Sequence, residues 1–423
     1  MPNLKFQKKV LSNGVRLITA PMPWTEAVTV LVLFGVGSRY EAASLNGASH
    51  FLEHLMFKGT TKRPTTLDIS RELDRVGAEY NAYTSKDHTG YWVTVAAKHL
   101  DLACDVVFDM LLNSKFEAAE LERERQVILE EIKMYEENPL MHIEDLFDAA
   151  LFGDTPLGWK ISGTRETMLK MKRDKLLDFK NCFYGPNNAV VVVAGNFHGD
   201  ISKKIARYLS GYNKSCQRPA FKKAAVDHSK SIALHFQKLD QTQLALGFPA
   251  YQSKHPKLPA LKMMNLILGG NMSSRLFIEV RERRGLAYYV RSEVDTFADT
   301  GSFKVRAGLD AARLEEALKV ILDELRKIRD GVTAKELDDA KECARGRLAL
   351  SLEDSVEQAE WCGKQETLLG EILTPKQKLA ELERVTLGDI KKVAQEIIRP
   401  DKLHCALIGP WKDDSKLSKL LKL

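Results

Sequence analysis

Two histidines and a glutamate fall within five residues, His50-Phe51-Leu52-Glu53-His54, inside the stretch from Gly47 to Gly59. An α-helix turns about 100° per residue, so these three polar residues share one sector of roughly 100° while Phe51, Leu52, Leu55 and Met56 lie opposite. Such a helix packs by its apolar side and offers two imidazoles and a carboxylate on the other. Histidines at i and i+4 can aim ring nitrogens at one point about 2 Å away, the Zn–N bond length. A glutamate one position before the second histidine reaches the same space without being a ligand. It is placed to act as a general base toward a water that a metal activates. A histidine on a helix is more often a surface or satisfied core residue, so the metal reading requires a third ligand.

The segment after Ser114 supplies candidates. Read as a long helix ending near Glu137, with Ser114 and Glu117 as a capping box, it places Leu121, Val127, Ile128, Ile132, Met134 and Tyr135 within about 80° of Glu124. Arg123, Gln126, Glu130 and Lys133 lie across the helix, leaving Glu124 and Glu131 in the middle of the expected buried face. A carboxylate there is costly unless paired or bound to a cation. A buried ion pair with an arginine is the alternative use. Beside two upstream histidines the metal is favoured, and we assign Glu131 as third ligand, with Glu124 supporting a ligand from behind, one helical repeat away. The metal expected of these donors is Zn²⁺.

The frame that must position these groups is large. At 423 residues the chain exceeds the usual limit of a single core. Hydrophobic content of 44% and charged content of 28% are ordinary for a globular protein. The net charge of +6 is spread along the chain, and the basic tail 412–423 reads as a solvated amphipathic helix, so no nucleic-acid function is expected. No apolar run approaches the length of about 18 residues that a membrane span requires, and residues 1–9 lack the apolar core of a signal peptide, so a cytoplasmic protein is expected. Cys104, Cys182, Cys216, Cys343, Cys362 and Cys405 form no C-x-x-C pair, which favours reduced thiols over a disulfide framework or a thiolate zinc site.

Periodicity sets out the elements. A hairpin spans Phe6–Leu11 and Val15–Thr19, a central strand covers Val28–Phe34, and Asn46 is the expected N-cap of the histidine-bearing helix. A helix near Leu67–Val76, a strand pair Ala78–Thr84 and Thr89–Ala96, and helices Asp101–Leu112, Met141–Leu151 and Arg165–Cys182 precede a strand at Ala189–Gly195. From Ser210 to Ser229 the composition shifts to Lys, Ser, Gly, Asn and Pro, the expected linker. Beyond it the order repeats: strands Ser231–Phe236 and Gln243–Phe248, helices Pro259–Leu268 and Ser274–Arg284, strands flanking Asp299, helices Ala311–Arg329 and Ala334–Leu352, and a last strand His404–Ile408. Thr89-Gly90 matches Thr300-Gly301, and residues 116–121 resemble residues 332–337, which points to an internal duplication. The first offset carries His50, Glu53 and His54 to Leu261, Met264 and Asn265; the second carries Glu131 to Arg347. The expected organisation is a metal-bearing half at 1–209, a linker at 210–229 and a duplicated half at 230–423 without metal ligands.

The segment His50-Phe51-Leu52-Glu53-His54, followed after residues 55–130 by Glu131, resembles the pitrilysin/insulinase-type metallopeptidases, the inverted zincins. Within them it is most similar to the mitochondrial processing peptidase β subunit and its bacterial single-chain relatives. The resemblance also rests on Gly35-Val36-Gly37-Ser38-Arg39, Phe57-Lys58-Gly59-Thr60, Asn81-Ala82-Tyr83-Thr84, residues 122–131, and Gly269-Gly270 through Tyr288. It implies an α+β fold of two homologous halves, each a mainly antiparallel sheet packed with helices. It further implies a clam-shell assembly in which a homodimer, or a dimer with a paralogous chain, closes around the site. The implied activity is zinc-dependent endopeptidase action on peptide substrates, with Glu53 as base. A non-catalytic structural or partner subunit of the same fold is the alternative. Asn81, Ala82 and Tyr83 would lie on an edge strand that pairs with an extended peptide. Arg281 and Tyr288 match a pair that contacts substrate near the scissile bond; their alternative reading is a surface arginine and a core tyrosine. The glycine-rich loop of the non-catalytic processing-peptidase α subunit is absent, where Gly269-Gly270-Asn271-Met272 stands instead.

Overall fold

The computed structural model describes residues 4–215, 220–227 and 231–421. Cys216 and parts of the expected linker, 216–219 and 228–229, lie outside the described residues; the linker's described parts contain no helix or strand. The chain forms two compact units, each discontinuous in sequence. One comprises Met1–Ile132, Lys160–Lys222 and Arg347–Pro375, the other Lys133–Trp159, Lys223–Gly346 and Lys376–Leu423.

The first unit is built on a six-stranded sheet of β1 (Gln7–Val10), β2 (Arg16–Pro21), β3 (Ala27–Phe34), β4 (Glu79–Thr84), β5 (Thr89–Ala96) and β6 (Ala189–Gly195). Its order is β1-β2-β6-β3-β5-β4, antiparallel throughout except for the parallel pair β2 and β6. Side chains of a strand alternate between faces. Val28, Val30, Val32 and Phe34 of β3 accordingly join the core that holds the helices Ala48–Leu55 and Leu100–Asn113. Leu31 and Leu33 point the other way, into a cluster with Ala359 and Cys362 of the helix Ser355–Leu369.

The second unit holds a five-stranded sheet of β7 (Ile232–Phe236), β8 (Gln241–Ala250), β9 (Ala287–Thr296), β10 (Gly301–Asp310) and β11 (His404–Gly409), in the order β7-β11-β8-β10-β9. Here too one pair, β7 and β11, is parallel and the rest antiparallel. The helices Leu258–Gly269, Leu314–Asp330 and Leu387–Ile397 pack into one core. The opposite face is covered by Ile143, Phe147 and Leu151 of the helix Pro139–Phe152.

Strand for strand, β2–β6 and β7–β11 share order and pairing sense, so the duplication expected from the sequence is present as topology. Its bookkeeping differs from the contiguous halves expected. Pro139–Phe152, from the first half of the sequence, covers the second sheet, and Ser355–Leu369, from the second half, covers the first. Amphipathic periodicity says that a helix must bury a face, not which sheet receives it.

Several local expectations change. Gly47, in the left-handed region at φ 97°, is the N-cap of the helix Ala48–Leu55 in place of Asn46. The Ser114 hydroxyl bonds to the carbonyls of Met56 and Met110 and does not cap the next helix, which runs Ala118–Glu137. On that helix Leu121, Ile128 and Ile132 are buried, but Val127 and Met134 are about half exposed. The stretch Arg165–Cys182 is two helices, Arg165–Lys170 and Arg173–Phe183. The segment expected as the helix Ser274–Arg284 contains a π-helical turn at Phe277–Glu282.

Candidate metal centre

The helix Ala48–Leu55 is held at both its start and its apolar side. Phe51, Leu52 and Leu55 are fully buried. A side chain at Gly47 would approach Met168 Cε to 2.4 Å and the Ser162 carbonyl to 2.7 Å, so the entry to the helix needs glycine for space as well as for its φ. The first backbone N–H groups of a helix lack intrahelical partners. Here the carboxylate of Glu41, buried against the helix start, accepts from the N–H of Gly47 and of Ser49, both at 2.7 Å, and from Asn46 Nδ2 at 3.1 Å. Burial pushes the Glu41 carboxyl up to about 7 against these hydrogen bonds. Sequence reading missed Glu41, since nothing local marks a residue that caps a helix from six positions upstream.

The helix Ala118–Glu137 stands beside it, tied by Arg125, whose guanidinium lies over the Phe51 ring at 5.6 Å and donates to the Met171 carbonyl. This brings Glu131 to the histidines. His50 Nε2 and His54 Nε2 are 3.3 Å apart, and Glu131 Oε2 is 3.7 Å from the first and 3.4 Å from the second. A tetrahedral zinc with bonds of about 2.0–2.1 Å sets its ligand atoms about 3.3–3.4 Å apart. Two of the three separations match the spacing that such an ion imposes, and the third, His50 to Glu131 at 3.7 Å, is slightly wider. Among the described residues this is the single cluster of three or more His, Cys, Asp or Glu side chains close enough to share a metal.

The charges fit as well. Burial and the neighbouring His54 lower His50 to about 4, so its imidazole is neutral and free to coordinate. Burial would also lower His54, but hydrogen bonds to Glu124 and Glu131 outweigh it and raise the group to about 9. Glu131 is held low by His54 and His50 despite its burial. A site that draws a proton between carboxylates is one that a cation can occupy in its place.

Behind His54, its Nδ1 lies 2.9 Å from Glu124 Oε1, and Lys58 Nζ lies 2.6 Å from Glu124 Oε2. The Nδ1 bond leaves Nε2 as the nitrogen that could coordinate a metal. His50 Nδ1 has no such support among the described residues. Glu53 is not one of the three clustered donors but interacts electrostatically with His54 and Glu131; burial raises its carboxyl, and its Oε2 accepts a 2.6 Å hydrogen bond from the hydroxyl of Thr84 on β4. No spacing in the sequence assigns Thr84 or Lys58 a partner.

β4 is an edge strand, paired among the described residues with β5 alone. Tyr80 stacks on Phe57, ring centroids 6.4 Å apart, and Ala82 is buried, on the same strand face as Thr84. The Ala82 N–H is not committed to β5; it donates to Asn81 Oδ1 at 2.9 Å. Tyr83 faces the other way, its ring 5.2 Å from Lys364 Nζ. Arg281 and Tyr288 belong to the second unit and meet there: the Arg281 guanidinium lies 4.8 Å from the Phe277 ring and 5.9 Å from that of Tyr288. Tyr288 is 74% exposed, so it is not a core tyrosine.

Residues 16–165 match the family model described as insulinase, peptidase family M16, and residues 170–342 match that of the M16 peptidase inactive domain. The chain is 36% identical over 406 residues to an uncharacterized zinc protease of Bacillus subtilis, spanning 96% of this chain and 98% of that one. It is 38% identical over 419 residues to an uncharacterized zinc protease of Streptomyces coelicolor, spanning 96% and 90%. A solved structure of a protease from Helicobacter pylori shares the fold, with a TM-score of 0.86 at 24% identity over 96% of this chain and all of that one. No helix among the described residues is long and apolar enough to cross a membrane.

Proposed function

We propose that this chain, which belongs to the insulinase-type peptidase family M16, is a zinc-dependent endopeptidase that hydrolyses peptide bonds in extended or unfolded peptides. The observation that carries the proposal is the convergence of His50 Nε2, His54 Nε2 and Glu131 Oε2 to within 3.3–3.7 Å of one another, close to the edge of a zinc tetrahedron. Zinc held there supplies Lewis acidity, lowering the pKa of water toward 7 and polarising the scissile carbonyl.

The rest is done by the chain's own groups. Glu53 takes the proton from the attacking water at its free carboxylate oxygen while Thr84 holds the other, then returns it to the leaving nitrogen. The base is thereby regenerated at each turnover. The unpaired edge of β4 takes an extended peptide main chain, with Ala82 offering its outward N–H once Asn81 turns aside. Because such pairing reads backbone, it fits many sequences. Exposed Tyr288 and half-buried Arg281, together on the second unit, are the expected substrate contacts of the duplicated half, residues 230–423, with residues 1–209 as the catalytic half. By the family resemblance the working assembly is a pair of chains, identical or paralogous, closing around the site.

Glu53→Gln is the direct test. Cleavage of an unstructured quenched peptide should fall by about 10²–10⁴-fold while zinc content stays at the wild-type level. Wild-type rates in that variant, or chelator-insensitive cleavage by the unaltered protein, would refute the proposal. Mass in solution, measured on the same metal-analysed sample, tests the pairing of chains.

A further inference from the structure

We infer that Lys58 is a positioning residue for the metal centre, acting through Glu124 to temper the negative charge that reaches His54. The inference rests on the zinc reading above.

Two contacts join three groups in one row: His54 Nδ1 to Glu124 Oε1 at 2.9 Å, and Glu124 Oε2 to Lys58 Nζ at 2.6 Å. The Glu124 side chain is only 5% exposed, so its charge is poorly screened and each of its oxygens is committed. Lys58 reaches it because the chain turns sharply after the helix. Gly59 has φ 110°, and a side chain there would meet the Pro64 carbonyl at 2.3 Å, so residue 58 is held against Glu124. The two histidines are treated differently: His50 Nδ1 has no corresponding carboxylate among the described residues.

A carboxylate behind a coordinating histidine raises the basicity of that ligand. A fully charged, unpaired carboxylate would do so most strongly, giving a tightly held but less acidic metal. The ammonium of Lys58 takes part of that charge. It thus trades some metal affinity for a metal better able to activate water.

The test is Lys58→Met, with Lys58→Gln as a neutral variant that can still donate a hydrogen bond to Glu124, and Lys58→Arg as the conservative rescue. Zinc affinity is read by competition with a chromogenic chelator, independently of peptide cleavage, and folding by far-ultraviolet circular dichroism. Both neutral variants should bind zinc about 10-fold more tightly, within the 10–100-fold range of such supporting residues, and cleave the quenched peptide about 10-fold more slowly. Lys58→Arg should restore both. A misplaced helix cannot give tighter metal together with slower turnover, so this pairing separates tuning from structural support. Weaker zinc binding in the folded neutral variants, unchanged affinity, or unchanged cleavage overturns the inference. Failure of the zinc reading itself would appear in the wild-type protein, as absence of bound zinc or indifference of cleavage to chelator.

Discussion

The helix Ala48–Leu55 follows β3 in the first sheet, and the helix Leu258–Gly269 follows β8, its topological counterpart, in the second. At the offset of the duplication, His50, Glu53 and His54 correspond to Leu261, Met264 and Asn265. Leu261 and Met264 are fully buried, whereas His50, Glu53 and His54 are partly open. The same contrast recurs on the long helices, where half-buried Glu131 corresponds to the exposed Arg347. The second half thus gives two of the three corresponding positions to its core, while Asn265 is partly open. The first keeps one face polar and brings carboxylates to it from another helix. The fold does not need the site, and the site forgoes apolar burial that the fold would otherwise use.

The comparison breaks most completely at Glu131. Glu131→Gln should lose zinc and with it all chelator-sensitive cleavage, as read by metal analysis after dialysis; a variant retaining a full equivalent of zinc would place the third ligand elsewhere. Packing is the next largest effect. Leu261→Ala should cost about 2–5 kcal/mol of stability, while His50→Ala should cost less than about 1 kcal/mol and abolish zinc binding. Equal costs in urea or thermal melts would remove the distinction between a packed helix and a functional one. Thr84→Val tests a finer feature, the hold on Glu53: loss of that hydrogen bond should slow cleavage about 10-fold with zinc unchanged, and Thr84→Ser should recover the rate. An unaltered rate would mean that Glu53 is oriented by something else. The smallest effect belongs to Val127, expected on the buried stripe but half exposed. Val127→Ser should change stability by no more than about 0.5 kcal/mol, and a loss above about 2 kcal/mol would return it to the core.

Much of the site was legible because it is written at helical spacing. His50, Glu53 and His54 share a sector whatever the helix packs against, and Glu124 and Glu131 are seven apart on a helix long enough to read. What failed were the ends and edges of elements. Asn46 looked like a cap, yet its amide donates to Glu41, and it is Glu41 that closes the helix start. Ser114 and Glu117 had capping-box spacing, but the Ser114 hydroxyl closes the helix before it. Such contacts turn on backbone angles and on neighbours distant in sequence.

The sequence by itself determined the residue types that could hold a metal, their sector on the helix, the order of strands along the chain and the repeat of that order, since all are matters of local period and residue chemistry. Only the tertiary structure decided that Glu124 faces His54 and Lys58 together, that Thr84 reaches Glu53 from an unpaired edge, and that each sheet takes a covering helix from the other half of the chain. These depend on which surfaces meet, and the apolar stripe that drives a helix to pack is non-directional. It sets how much is buried and leaves the choice of partner to the whole fold.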